Sequence, residues 1–170
     1  VCTTNVTVQV RVTKSGAAQV HRAAGESTPD LSHDRAKEYL LDPGDQLFDV
    51  IGGSAAKRRQ VDAFLRALDA SLPSDRAGEQ LPTPLRVVDL GCGNAYLTFA
   101  AYRFLTARRG LDVQLTGVDV REDQRARNTE LAQKLGWSGN VHFVAGTIAE
   151  ATVDGADAVL ALHACDTATD

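Results

Sequence analysis

The stretch VVDLGCGNAYLTFAAYRFL, residues 87–105, decides the fold of this chain. It begins with residues typical of a buried strand and ends with the pattern of an amphipathic helix, and a turn with Gly91 and Gly93 separates the two. Glycine lets the backbone turn sharply and approach a ligand that a Cβ would obstruct. In an open parallel sheet, ligands bind beyond the carboxyl ends of the strands. The stretch therefore predicts a ligand site at this strand–helix turn.

Strand and helix patterns alternate regularly around this turn and after it. The predicted strands cover residues 85–91, 113–120, 140–146 and 156–164, and the predicted helices cover residues 95–108 and 121–136. Alternation with short connections is typical of a parallel sheet with helices on its faces. We therefore expect residues 54–170 to form the N-terminal part of an α/β domain.

The residues upstream of this region have patterns of their own. Residues 54–72 carry apolar side chains at helical spacing, and Ser54 is a suitable N-cap for that helix. Residues 6–22 alternate apolar and polar side chains around a Lys-Ser-Gly turn, which predicts a β-hairpin. A short helix is expected within residues 32–41. We expect residues 1–53 to form an N-terminal extension that contains the hairpin and this short helix.

Composition limits the class of protein. Of the 170 residues, 44% are hydrophobic and 24% are charged, as in a globular protein rather than a disordered or fibrous one. The net charge of -4 argues against bulk attraction to nucleic acid, although residues 1–22 are locally basic. No run approaches the ~18 apolar residues of a membrane span, and three cysteines without paired spacing favour a reducing compartment. We expect a cytoplasmic protein without a membrane segment.

The two ends of the sequence indicate a fragment. The chain has no methionine, even at position 1, and it stops directly after the apolar run that predicts the fourth strand of the sheet. An apolar strand at an open sheet edge favours aggregation. We expect residues 1–170 alone to be poorly soluble or inactive.

Two aspartates indicate the chemistry of the ligand. Asp89 ends the first strand of the sheet, where its carboxylate suits the ammonium of an amino acid and would repel a pyrophosphate. Asp119 ends the second strand, in GVDV, where an acid can accept from both hydroxyls of a ribose. S-adenosylmethionine combines these two groups. A glycine turn without a ligand and an NAD-type turn are the alternatives, but the NAD fingerprint needs a glycine where Tyr96 stands.

Residues 85–166 resemble the first half of a class I, Rossmann-like S-adenosylmethionine-dependent methyltransferase. VVDLGCGNAYLT resembles the glycine motif of that family, GVDV its ribose-binding acid, and VAGTIAEA the segment beside the adenine. LHACDTATD and KRRQVDAFL are similar to a branch in which a Lys-x-x-Gln helix precedes the glycine motif, and whose relatives include a tRNA methyltransferase. The resemblance implies a Rossmann-like parallel sheet, incomplete at its C-terminus, and methyl transfer from S-adenosylmethionine.

The resemblance also implies roles for individual residues. The implied contacts are Asp89, Gly91 and Gly93 to the methionine part of the cofactor with Asn94 beside them, Asp119 to its ribose, Thr147 and Ile148 to its adenine, and Lys57 and Gln60 to the substrate. Residues just past the fourth strand commonly face the transferred methyl group in this fold. Asp166 is therefore a candidate catalytic residue that positions the acceptor or accepts its proton. Capping of a helix is the alternative role of Asp166.

Two other patterns have both a functional and a structural interpretation. His163, Cys165 and Cys92 suggest a metal or a nucleophile, but one His-x-Cys without a second ligand pair is poor evidence for zinc. Packing of small residues around the cofactor pocket is favoured instead, and no metal is expected. The basic residues 57–59 form either a solvated helix face or a site for RNA phosphates.

The predicted function is S-adenosylmethionine-dependent methyl transfer to a nucleophilic acceptor, with RNA as the leading candidate. A small-molecule or protein methyltransferase is one alternative. A methyltransferase-like domain that binds the cofactor without catalysis is the other. Methyl transfer depends on proximity and orientation, so few catalytic side chains need to be visible in the sequence.

Overall fold

The computed structural model describes residues 6–12, 18–24, 39–73, 80–149, 151 and 153–162, and it divides the chain into two units, Val1–Glu38 and Tyr39–Asp170. In the first unit, β1 (Val6–Val12) and β2 (Ala18–Ala24) pair antiparallel in continuous register. This pair corresponds to the predicted hairpin. The short helix expected within residues 32–41 falls mainly on residues outside the described ranges.

The second unit is built on a four-stranded sheet. Its elements are α1 (Gln46–Ile51), α2 (Ala55–Ser71), β3 (Leu85–Leu90), α3 (Tyr96–Arg103), β4 (Val113–Asp119), α4 (Glu122–Lys134), β5 (Val141–Ala145) and β6 (Ala158–Leu160). The strand order is β5-β4-β3-β6, and every pair is parallel. Numbered within the sheet, this order is 3-2-1-4, as in one half of a doubly wound α/β fold. The predicted Rossmann-like parallel sheet is confirmed.

The ends of the helices have local causes that the sequence contains. Ser54 caps α2, because its hydroxyl accepts a hydrogen bond from the backbone N–H of Lys57 at 3.3 Å. Helix α3 continues as a π-helical turn over Phe104–Arg108 and ends before Gly110, whose φ is +65°. Helix α4 ends before Gly136, whose φ is +73°. Glycine tolerates this left-handed conformation, and it ends helices for that reason.

The boundary between the two units lies earlier in the chain than the expected boundary after residue 53. Residues 39–53 belong to the second unit, because Leu41, Leu47 and Phe48 are buried in the same core as Val61 and Leu65 of α2. These residues include α1, a helix that the sequence did not predict.

The hydrophobic core lies between the sheet and its helices. Residues of α2, of α3 and of the alternating positions Val87, Leu115 and Phe143 in the strands form it. On the other side of the strands, Val144 and Val159 are each 49% exposed. None of the helices in the described part of the chain combines the length and the apolar character that crossing a bilayer requires.

Candidate functional site

The turn between β3 and α3 has the conformation that its glycines predict. Gly91 and Gly93 have φ of +70° and +53°, a region that side chains other than glycine rarely adopt. A Cβ on Gly93 would meet only ordinary contacts, the nearest being Nη2 of Arg121 at 3.7 Å. Conformation, rather than lack of space, therefore requires glycine at position 93. Ala95 also has a positive φ, of +55°, and the sequence did not reveal this.

Asp119 stands at the carboxyl end of β4 and faces this turn. Its Oδ2 accepts a hydrogen bond from the backbone N–H of Gly93 at 2.8 Å, and its Oδ1 accepts from the backbone N–H and Nε of Arg121 at 3.0 and 3.2 Å. Burial acts to raise the pKa of Asp119, but these hydrogen bonds outweigh it and hold the pKa below its usual value. The carboxylate is thus charged at neutral pH and fixed at both oxygens.

A cavity of about 350 Å³ opens beside the turn and Asp119. Its lining consists of Lys57, Gln60, Gly91, Gly93, Asn94, Tyr96, Leu97, Asp119 and Arg121. Cavities of this size are typical of small-molecule and cofactor sites. The structure thus brings the predicted cofactor residues of the turn and of β4 together with both predicted substrate residues of α2. Tyr96, Leu97 and Arg121 were not predicted.

Lys57 and Tyr96 form one wall of this cavity. The ammonium of Lys57 lies 4.8 Å from the centre of the Tyr96 ring, within cation–π distance. The Tyr96 hydroxyl is buried and has no hydrogen-bond partner among the described residues. A Cβ on Gly53 would lie 2.8 Å from that hydroxyl, so the loop before α2 packs closely on it. Burial raises the pKa of Tyr96, with Arg58 partly offsetting the effect, and the phenol is neutral.

Asp89 lies near the end of β3 and is not among the residues that line the cavity. It is only 4% exposed, and its Oδ2 accepts a hydrogen bond from the Thr98 hydroxyl at 2.5 Å. Thr98 belongs to α3 and is fully buried. The carboxylate therefore links the end of β3 to the first turns of the helix that follows it. The hydrogen bond between Thr98 and Asp89 was not predicted from the sequence.

Thr147 and Ile148, the predicted adenine contacts, do not line the cavity beside Asp119. Thr147 lines a separate cavity of about 350 Å³, together with Val88, Thr116 and other residues of β4, β5 and the loop after β5. Ile148 is half-buried and lines neither cavity. The structure therefore does not bring this pair into the cavity of Asp119. Asp166, His163 and Cys165 lie outside the described residues.

Cys92, in the middle of the turn, is a buried thiol. Burial, followed by the negative charges of Asp89 and Asp119, raises its pKa to about 12. A thiol with this pKa is protonated at neutral pH and is a poor nucleophile and metal ligand. Its Sγ lies 3.0 Å from the position of a Cβ on Gly117 in β4, which supports the packing interpretation. Among the described residues, no three His, Cys, Asp or Glu side chains are grouped for a metal ion.

The basic residues 57–59 do not share one environment. Lys57 lines the cavity, whereas the guanidinium of Arg58 stacks on Phe48 at 5.4 Å. Arg59 is exposed. Lys57 is exposed as well, so both interpretations of this run, a solvated helix face and a site for RNA phosphates, stay predictions.

A family model described as a methyltransferase domain matches residues 56–170 of this chain. A comparison with curated protein sequences found no match. The matched range begins one residue into α2 and includes every residue of the cavity beside Asp119.

Comparison with solved structures found similar chains. An RNA methyltransferase from Salinibacter ruber, in complex with S-adenosyl-L-homocysteine, is 20% identical over 61% of this chain and 56% of its own, with a TM-score of 0.43. A geranyl diphosphate C-methyltransferase from Streptomyces coelicolor A3(2) is 22% identical over 70% of this chain and 38% of its own, with a TM-score of 0.43. The [4+2]-cyclase SpnF is 26% identical over 42% and 24%, with a TM-score of 0.34. The chain thus spans less than two thirds of each of these proteins.

Proposed function

Because the chain belongs to the methyltransferase-domain family, whose model matches more than half of it, we propose that it transfers a methyl group from S-adenosyl-L-methionine to a nucleophilic acceptor. One observation carries the proposal. A single cavity contains the glycine turn, the charged Asp119 at the end of β4 and a lysine ammonium. The turn offers bare backbone to the methionine part of that cofactor. Asp119 can accept hydrogen bonds from its ribose, and the lysine ammonium can pair with its carboxylate.

The proposed cofactor orientation starts from Asp119. A carboxylate can accept about four hydrogen bonds, and three protein donors contact this one. The Arg121 side chain is the most easily displaced of them, since it is 54% exposed and its Nε lies 3.2 Å away. One ribose hydroxyl would replace the Arg121 side chain, and the other would use the fourth acceptor position of the carboxylate. Asp119 would then bind both hydroxyls.

The methionine end of the cofactor would lie along the turn toward α2. Gly91 and Gly93 present bare backbone there, and Lys57 offers a cation for the carboxylate group. Asp89 is buried near the end of β3, and its negative charge is proposed to favour the ammonium of the cofactor. We retain Thr147 and Ile148 as proposed adenine contacts because they follow Ala145, which pairs with Asp119 across β4 and β5.

The chemistry proposed for this site relies on orientation. When bound, the cofactor would supply an electrophilic methyl group, and S-adenosylhomocysteine would leave as the bond between sulfur and methyl breaks and the acceptor gains the methyl group. The protein holds the two reactants in line and excludes water, which is sufficient for a large acceleration. Gln60 and Lys57 of α2 also line the cavity and are proposed to border the acceptor. Asp166 remains the proposed residue that positions the acceptor or accepts its proton.

RNA is the proposed acceptor class, in a cytoplasmic setting. The support is the resemblance to the branch that includes a tRNA methyltransferase, together with the exposed Arg59 beside the cavity residue Lys57. The cytoplasmic setting rests on the three cysteines without paired spacing. A small-molecule or protein acceptor is the second candidate, and cofactor binding without catalysis is the third.

Two measurements test the proposal. Calorimetry with S-adenosylhomocysteine tests the cofactor site, and absence of binding would refute it. Transfer of tritium from methyl-labelled S-adenosylmethionine to separated RNA, protein and metabolite fractions then distinguishes the three candidates. Labelled RNA supports the leading one, label in another fraction supports the second, and binding without any transfer supports the third. RNA binding through phosphates should also weaken steeply with salt.

A further inference from the structure

Asn128 of α4 is a buried polar residue that contacts the glycine turn. It is 0% exposed, and Ala132 is the other buried residue of this helix. Its Nδ2 donates a hydrogen bond to the carbonyl oxygen of Gly93 at 2.8 Å. The N–H of the same glycine donates to Oδ2 of Asp119, also at 2.8 Å. Gly93 is therefore held from two sides, by α4 and by the end of β4.

Fold stability does not account for an asparagine at this position. Its Oδ1 is buried and has no hydrogen-bond partner among the described residues. Reversing the amide would only turn this oxygen toward the carbonyl oxygen of Gly93. The penalty for a buried acceptor without a partner is at least as large as the gain from one neutral hydrogen bond. Leucine, whose side chain has the same number of heavy atoms and the same branching, is also a better helix former than asparagine.

The conformation of Gly93 explains what the hydrogen bond from Asn128 contributes. With φ of +53° and no side chain, Gly93 has more conformational freedom than any other residue type would have there. An external hydrogen bond to its carbonyl reduces that freedom before a ligand arrives. Because its N–H contacts Asp119, a fixed Gly93 peptide also fixes the carboxylate. Groups that are ordered before binding increase affinity, since less entropy is lost on association.

We infer that Asn128 is a positioning residue: it fixes the Gly93 peptide, and through it holds the Asp119 carboxylate in the orientation that accepts the ribose hydroxyls. This inference rests on the proposed function, because it assumes that Asp119 binds a ribose. Asn128 is not among the residues that line the cavity.

The test compares Asn128→Leu with the unsubstituted protein. Calorimetry uses S-adenosylhomocysteine, 5′-methylthioadenosine and the 2′,3′-dideoxy analogue of the latter. We expect the Kd of S-adenosylhomocysteine to rise at least about tenfold, because an Asp119 carboxylate that is no longer held in place loses one hydrogen bond to the ribose. The preference for the ribose over the dideoxyribose compound should fall by a similar factor, without a lower melting temperature. Thr129→Val is the matched control, because it removes a hydrogen bond within the same helix, to the carbonyl of Arg125.

A merely structural role would lower the melting temperature and leave the ribose preference unchanged, and that result would overturn the inference. If Asn128→Leu does not fold, Asn128→Ala is measured in its place, and failure of both variants to fold also overturns it. Failure of the proposed function is distinguished from failure of the inference, because the unsubstituted protein then binds none of the three compounds. Hydrogen exchange of the Gly93 amide then decides: faster exchange in Asn128→Leu supports the positioning role, and unchanged exchange overturns it.

Discussion

The substitution Asp119→Asn tests the centre of the proposed cofactor site. Each oxygen of the Asp119 carboxylate accepts a backbone N–H, from Gly93 at 2.8 Å and from Arg121 at 3.0 Å. In either orientation, the amide of an asparagine would turn its NH₂ group toward one of these donors. The variant therefore loses a charge-assisted hydrogen bond to the backbone and one acceptor for the ribose.

The size of the effect follows from the number of hydrogen bonds lost. A hydrogen bond to a charged group contributes about 1.5–3 kcal/mol. Losing one such bond to the ribose should raise the Kd of S-adenosylhomocysteine by roughly 10- to 150-fold. Losing the bond to the backbone should lower the free energy of unfolding by a similar amount, because the side chain is only 11% exposed.

Calorimetry and urea unfolding measure these two effects. Asp123→Asn is the matched control, since it makes the same change of charge at an exposed position at the start of α4. A Kd for Asp119→Asn within twofold of the wild type, in a folded protein, would refute the assignment of Asp119 to the ribose.

The stability difference between Asp119→Asn and the wild type should also depend on pH. The fold lowers the pKa of Asp119 from its usual 3.8. The stabilisation is therefore fully present above that pH, and it is lost as the pH falls through the lower pKa of the folded state. The urea midpoints of the two proteins should converge in acid. A difference that stays constant down to the acid unfolding of both proteins would contradict the account of Asp119 as a charged acceptor.

Three further predictions concern the support of the turn. Thr98→Val should lower the free energy of unfolding by about 1.5–3 kcal/mol, because Asp89 loses the Thr98 hydroxyl, whereas Thr98→Ser should retain most of it in urea unfolding. Cys92, with a pKa of about 12, should resist iodoacetamide at pH 8 until the protein unfolds, as peptide mapping by mass spectrometry will show; rapid alkylation would contradict its burial. Gly117→Ala should destabilise the fold by about 1–3 kcal/mol, since its Cβ would lie 2.7 Å from the Phe143 ring, and an unchanged melting temperature would contradict this.

The sequence predicted the sheet and the turn well because their signals are local. Apolar periodicity marks β3, β4 and β5, and the glycines mark the turn and the ends of the helices, since glycine alone adopts those conformations without strain. The position of Asp119 beside the turn could be predicted for the same reason, because a parallel strand carries its final residue to one edge of the sheet. The position of α1, by contrast, has no such signal, and its packing in the core appears only in three dimensions.

What the sequence by itself determined is thus the order of strands and helices from α2 onward, the glycine turn and the acid beside it. The tertiary structure alone decided which distant residues meet there. It turned Asp89 toward Thr98, brought Lys57 of α2 over the Tyr96 ring, and placed Asn128 of α4 against Gly93. These contacts join residues from separate elements. Their geometry depends on how the helices pack on the sheet, which short-range patterns of apolar residues and glycines do not encode.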